Sequence, residues 1–181
     1  ICDRREDKLA EASREFGVAT FTDYDKFLSH PMDAVVVANY FHEHTPFALR
    51  ALAAGKHVLS ECTAASTLAE CVALARAVEK SGKIYMLAEN YPYTAFNLEL
   101  AARYRRGAIG EVLYAEGEYN HPMSAEELLG SSPGWDHWRL LIPATYYCTH
   151  ALAPLMAITG RMPKSVNAQA IPHRSFAREQ V

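Results

Sequence analysis

Asp33-Ala-Val-Val-Val-Ala-Asn-Tyr-Phe-His-Glu-His-Thr-Pro46, followed a few residues on by Gly55-Lys-His-Val-Leu-Ser-Glu-Cys-Thr63, decides the fold. The wholly apolar, largely β-branched run from Ala34 to Ala38 predicts a strand buried on both faces of a parallel sheet. Thr45 and Pro46 read as N-cap and first residue of a helix carrying Phe47, Leu49 and Leu52, ended by Gly55. His57 to Leu59 reads as the next strand. Two parallel strands joined by a helix form a right-handed crossover, and ligands of such sheets lie beyond the carboxyl ends of the strands. Here those ends are Asn39 to His44 and Ser60 to Thr63.

Working outward, Arg5 to Phe16 predicts a helix with Leu9, Ala12 and Phe16 on one face, closed by Gly17. Ala19 to Phe21 suits a short strand and Asp25 to Ser29 a short helix. On the other side, Thr67-x-x-Glu70 is a capping-box pattern that opens a helix with Leu68, Cys71, Leu74, Ala75 and Val78 facing inward, stopped at Gly82. Ile84 to Ala88 is the next buried strand. This alternation predicts an α/β fold, a doubly wound parallel sheet of Rossmann type over residues 1–90. Because Ile1-Cys2-Asp3 looks like the tail of a strand, the first strand and glycine-rich loop are expected upstream of Ile1.

After Asn90 the rhythm changes. Phe96 to Arg106 predicts a helix bearing Leu98, Leu100, Ala101 and Tyr104, and Glu111 to His121 alternates as a strand with one wet face. Ser124 to Gly134 reads as a loop, Tyr146 to Thr159 as a helix and Ser165 to Ala170 as a strand. Residues 91–181 are therefore expected to form part of an α+β domain with a mostly antiparallel sheet.

With 181 residues, 50% hydrophobic and 22% charged, the chain can bury a core. A net charge of -3 without a basic block argues against nucleic acid or an anionic membrane as partner. No apolar run reaches the roughly 20 residues of a spanning helix. Cys2, Cys62, Cys71 and Cys148 show no paired spacing, which suits the reduced thiols of a cytoplasmic protein, although a missing N-terminus leaves a signal peptide open.

Six residues in the first domain stand out. Asp3, where a strand would end, suits the ribose hydroxyls of a dinucleotide or equally a helix cap. Arg4 and Arg5 suit a 2′-phosphate or plain solvation. His42 and His44 alternate like metal ligands but lack a third, and no metal is expected. Glu61 is a carboxylate at the end of a buried strand, which is costly unless it meets a ligand or a donor. In the second domain, Tyr119, His121, Trp135, Trp138, Arg139, Tyr147 and His150 combine aromatic faces with hydrogen-bonding groups, as a sugar site does, or as a core does. Among them His150, with the ordinary histidine pKa of about 6.5, is the candidate for proton transfer near neutrality.

Ala34-Val-Val-Val-Ala38, His44, Gly55-Lys-His-Val-Leu-Ser-Glu61 and Gly110-Glu-Val112 together resemble the Gfo/Idh/MocA family, named for glucose-fructose oxidoreductase and inositol dehydrogenase. That resemblance implies a Rossmann domain and a sheet domain with NAD, or NADP, as cofactor. It places Asp3, Phe41, His44, Glu61 and Asn90 at cofactor-contacting positions, and Asn39 and Cys62, at the same strand ends, are expected to join them. It further implies a small sugar or polyol substrate and a homo-oligomer.

Two departures matter. Dehydrogenases of the family carry Glu-Lys-Pro where this chain has Glu61-Cys62-Thr63, so the proton-relay lysine is absent. The usual Asp-x-Gly-x-His pattern keeps only His150, with Tyr146 and Cys148 at the other places. Glu89-Asn90, Glu116-Gly117-x-Tyr119-x-His121, Trp138-Arg139-Leu140 and Tyr147-x-Thr149-His150-x-Leu152-x-Pro154 resemble the NAD-dependent glycosidases of the α-N-acetylgalactosaminidase type, which also lack that lysine. By that resemblance Tyr119, Arg139 and Tyr147 to His150, Thr149 among them, bind the sugar; within that reading His150 is expected to be the base, with Tyr147 orienting or relaying. Three readings follow: an NAD(P)-dependent oxidoreductase acting on a sugar, a glycoside hydrolase working by transient oxidation and elimination, and a nucleotide-binding protein without catalysis.

Overall fold

The computed structural model describes residues 1–132, 137 and 144–169. It divides into two units, Ile1–Leu87 and Ala88–Val181.

In the first unit three strands, β1 (Ala34–Val37), β2 (His57–Ser60) and β3 (Tyr85–Leu87), lie parallel in the order β1-β2-β3. The register sets Val36 opposite Leu59 and Leu59 opposite Met86. Helix α3 (His44–Ala53) connects β1 to β2, and α4 (Leu68–Ser81) connects β2 to β3. Both crossovers run the same way along the sheet, so their helices share one face and pack on each other. The core between them holds Val35, Val37, Ala48, Ala51, Leu52, Val58 and Leu74, with Leu28 from α2 (Tyr24–Leu28).

The expectation of a strand buried on both faces is corrected here. Val35 and Val37 are buried, but Val36 is 67% exposed, and Met86 on β3 and Ile84 just before it are also open. The reason is that two same-handed crossovers cover a single face of this sheet. Leu68, Cys71 and Ala75 of α4, and Phe16 of α1 (Glu6–Phe16), expected to face inward, lie on the surface.

The capping box is present: Thr67 accepts from the Glu70 amide, and the Glu70 carboxylate accepts from the Thr67 amide. Gly82 ends α4 at φ 63°, a left-handed angle that glycine adopts without a Cβ penalty. Ala19 to Phe21 is not a strand of the sheet; Phe21 makes one parallel bridge, to Cys2. Thr45 is not an N-cap. A 3₁₀ turn, Phe41–Glu43, precedes α3, and Thr45 lies inside the helix, donating its hydroxyl to the Ala64 carbonyl at 2.8 Å. A side chain that reaches another segment has overridden the local cap signal.

In the second unit α5 (Ala95–Arg105) packs on α7 (Cys148–Thr159). The inward face of α5 is Asn97 and Ala101, each 7% exposed, whereas Leu98 and Leu100 face outward. Asn97 is buried because its amide donates to the Tyr91 carbonyl at 2.8 Å. The stretch read as a loop after Ser124 contains a helix, α6 (Ala125–Ser131), opened by a second box in which Ser124 and Glu127 exchange hydrogen bonds of 2.8 and 3.2 Å. Neither 111–121 nor 165–169 forms a ladder, and no antiparallel sheet occurs among the described residues. A strand is defined by a partner, and alternation alone does not supply one.

None of the four cysteines is in a disulfide. Among the described residues no helix is long and apolar enough to cross a membrane.

Candidate active site

The first unit gathers its candidate residues near the carboxyl ends of the parallel strands, where ligands of such sheets lie. Asp3 uses Oδ1 to accept from the Arg5 amide at 2.8 Å, just before α1. Asn39 follows β1, and its Nδ2 donates to Glu43 Oε2 at 3.2 Å. His44, only 2% exposed, faces two carbonyls: Thr63 O lies 2.8 Å from Nδ1 and Asn39 O lies 3.1 Å from Nε2. The ring therefore lies between the chain after β1 and the chain after β2. Phe41 begins the 3₁₀ turn and packs edge-on to His42.

Glu61 is exposed, so the cost of burying a carboxylate at that strand end does not arise. Its Oε2 accepts from the amide of half-buried Cys62 at 3.3 Å.

That cost falls instead on Glu89, two residues beyond β3 and 5% exposed. Its Oε1 accepts from the Tyr91 amide at 3.1 Å and from His150 Nδ1 at 2.8 Å. A buried carboxylate needs such donors. The side chains of His150 and Glu89 are 12% and 6% exposed. With Nδ1 carrying the proton toward the carboxylate, Nε2 is left as the lone-pair nitrogen of the neutral ring.

Three tyrosines surround this pair. Tyr91 stacks on the imidazole with centroids 4.6 Å apart, Tyr147 stacks at 5.5 Å, and Tyr119 lies tilted at 4.6 Å. Burial pushes the Tyr119 hydroxyl upward from its ordinary pKa, and the negative charge that Tyr91, Tyr147 and Glu89 can carry adds to it. Tyr119 is thus a neutral donor across the working range of most enzymes.

Two local features aim these groups. Gly117 sits where a Cβ would overlap the Ala151 carbonyl of α7, so glycine lets the segment bearing Tyr119 run against the helix bearing His150. Pro154 inside α7 has no amide to give the His150 carbonyl four residues before it. Thr149 is half-buried with Oγ1 lacking a partner among the described residues. Asn90 is exposed. Arg139 lies outside the described residues, as do Trp135 and Trp138.

Glu89 and Tyr91 are the residues that sequence reasoning did not assign a role. The signal was available, since Glu89 ends a predicted buried strand just as Glu61 does, but which end is covered depends on a helix some 60 positions later.

A nicotinamide dinucleotide fits the donor and acceptor set of the first unit. Asn39 Oδ1 and Thr63 Oγ1, both beyond strand ends, are buried and lack hydrogen-bond partners among the described residues. Orphaned polar atoms at that position suit a ligand rich in hydroxyl and amide groups.

Residues 1–89 match the model of the oxidoreductase family with an NAD-binding Rossmann fold, GFO_IDH_MocA. Glycosyl hydrolase family 109 protein 2 of Phocaeicola vulgatus is 29% identical over 86% of this chain and 41% of its own. The α-N-acetylgalactosaminidase of Bacteroides fragilis is 28% identical over 87% and 41%. An aldose-aldose oxidoreductase from Caulobacter crescentus, solved with glycerol, superposes with a TM-score of 0.75 at 25% identity, covering 98% of this chain and 54% of that one. The chain thus spans less than half the length of these two curated relatives. Its first 89 residues are a nucleotide-binding domain of the Gfo/Idh/MocA oxidoreductases.

Proposed function

We propose that the protein is an NAD(P)-dependent oxidoreductase that acts on a sugar or related polyol, with His150 as the proton-transferring group. The observation that carries this reading is the buried Glu89–His150 pair set among three tyrosines. Asp3, Asn39, Phe41, His44, Glu61, Cys62 and Asn90 are the residues that would hold the dinucleotide, with NAD the preferred form. When bound, the nicotinamide supplies an acceptor and donor of hydride.

The chain's own residues manage the proton. Nε2 of His150 takes it from a substrate hydroxyl, and the Glu89 carboxylate at Nδ1 stabilises the imidazolium that results. The same contact fixes the ring's orientation before substrate arrives. Tyr119 and Tyr147 offer hydroxyls to substrate oxygens and ring faces to its C–H surface. Thr149 contributes a further buried hydroxyl. Arg139 is proposed to hold substrate oxygens.

A second reading is favoured by one specific feature. Cys62 stands where the proton-relay lysine of dehydrogenases would be, and two relatives carry glycosidase names. In that reading His150 removes the C–H proton made acidic beside a transient ketone. The electron pair left on carbon forms a double bond as the glycosidic oxygen departs, and water then adds. The hydride returns within the same turnover, so no reduced cofactor accumulates.

One assay tests both. The protein is incubated with NAD⁺ and a panel of free sugars and aryl glycosides while NADH absorbance and aryl release are followed together. NADH accumulation without aryl release establishes the oxidoreductase. Aryl release that requires NAD⁺ and leaves no NADH establishes the glycosidase. Nucleotide binding with neither signal across the panel leaves the non-catalytic reading.

A further inference from the structure

We propose that Glu43 sets the dinucleotide preference of the first unit, holding Arg4 away from a 2′-phosphate so that NAD is taken in place of NADP. This rests on the nucleotide-binding reading above and goes beyond it by naming the residue that selects the cofactor.

In a dinucleotide fold, an acidic residue near the end of the second strand receives the ribose hydroxyls, whereas an arginine nearby accommodates a 2′-phosphate. This chain has both, Asp3 followed by Arg4 and Arg5, so residue type alone does not choose. The geometry does. Arg4 Nη2 donates to Glu43 Oε1, and the other carboxylate oxygen is held by Asn39 Nδ2 at 3.2 Å. Glu43 is 18% exposed and Arg4 68%, so the anchored partner is the carboxylate and the arginine reaches to it. Arg5 is engaged separately, its guanidinium forking onto Asp7 at 2.6 and 3.2 Å.

Both arginines that could meet a phosphate therefore already meet a carboxylate. Four acidic side chains, Asp3, Glu6, Asp7 and Glu43, stand against two guanidinium groups in these segments. A 2′-phosphate, with nearly two negative charges at neutral pH, would have to displace Glu43 and would leave it beside the incoming anion. A ribose hydroxyl carries no such penalty.

The test measures nucleotide binding, with no turnover. Wild type, Glu43→Gln, Arg4→Ala and the double variant are titrated by calorimetry with 5′-AMP and with 2′,5′-ADP, which differ in the 2′-phosphate. Wild type should bind 5′-AMP more tightly. Glu43→Gln should shift the ratio about tenfold toward 2′,5′-ADP, and adding Arg4→Ala should abolish that shift. Arg4→Ala alone, at an exposed position that leaves the fold intact, should keep the ratio within about twofold of wild type. A ratio unmoved by Glu43→Gln, a shift that survives loss of Arg4, or a wild-type preference for 2′,5′-ADP that Arg4→Ala removes would overturn the proposal. Failure of every variant to bind either nucleotide would overturn the nucleotide-binding reading with it.

Discussion

Nδ1 of His150 lies 2.8 Å from Oε1 of Glu89, across 61 positions of sequence. The pair belongs to the second unit, where a tyrosine stacked on the imidazole, Tyr91, also gives its amide to the same carboxylate oxygen. Position, tautomer and charge compensation of the histidine are thereby fixed by one side chain.

Replacing Glu89 with Gln removes the charge that stabilises a protonated His150 while keeping the shape. The expected result is a fall in kcat on the order of 10²-fold with KM little changed, and a larger fall for His150→Ala. Nitrogen NMR of the labelled imidazole should show mixed tautomers in Glu89→Gln against one in wild type. A kcat within about twofold of wild type would make the contact structural and place the base elsewhere.

Gly117→Ala tests the packing that brings Tyr119 to His150. The added methyl would overlap the Ala151 carbonyl, and a backbone atom of α7 cannot rotate away as a side chain could. The segment must therefore lift from α7. A loss of roughly 1–3 kcal/mol in denaturant stability is expected, together with weakened ring-current shifts between Tyr119 and His150. Unchanged shifts would mean that the tyrosine is held by its own contacts.

The parts of this structure legible in the sequence are those written locally. Val35 and Val37, the Thr67 and Glu70 box, and Gly82 each act within a few residues, and strands, helix start and helix stop follow from them. Thr45 carried an equally local cap signal, yet its hydroxyl is claimed by Ala64 in a different loop. Val36 shows the other limit, because whether a strand has one covered face or two is decided by where crossovers go. For the candidate site, His150, Tyr119 and Tyr147 were readable as chemistry-bearing types. Their meeting with Glu89 was not, since Glu61 ends a strand in the same way and only tertiary burial separates the two.

Thr45→Val gives a direct measure of that tertiary claim. Valine keeps the shape at a site 2% exposed but removes the donor 2.8 Å from the Ala64 carbonyl. A buried acceptor left without a partner costs about 1–3 kcal/mol, and Thr45→Ser should recover part of the loss. Urea unfolding of the three proteins checks this; equal midpoints would show that water replaces the hydroxyl at Ala64.

Tyr24 predicts how the first unit responds to alkali. Its ring packs against Phe47, its hydroxyl donates to the Phe47 carbonyl at 3.1 Å, and burial pushes its pKa up to about 12, partly offset by the Arg50 guanidinium over the ring. An unfolded tyrosine titrates near 10. Below that value both states hold the proton and the group has no effect on the pH dependence. Between about 10 and 12 the folded state binds more protons than the unfolded one, so stability falls as pH rises. Urea midpoints measured from pH 9 to 12 should therefore drop through this window in wild type. In Tyr24→Phe the drop should be shallower, although that variant starts about 1 kcal/mol lower because the Phe47 carbonyl has lost its donor. Parallel curves for the two proteins would assign the alkaline loss to groups other than Tyr24.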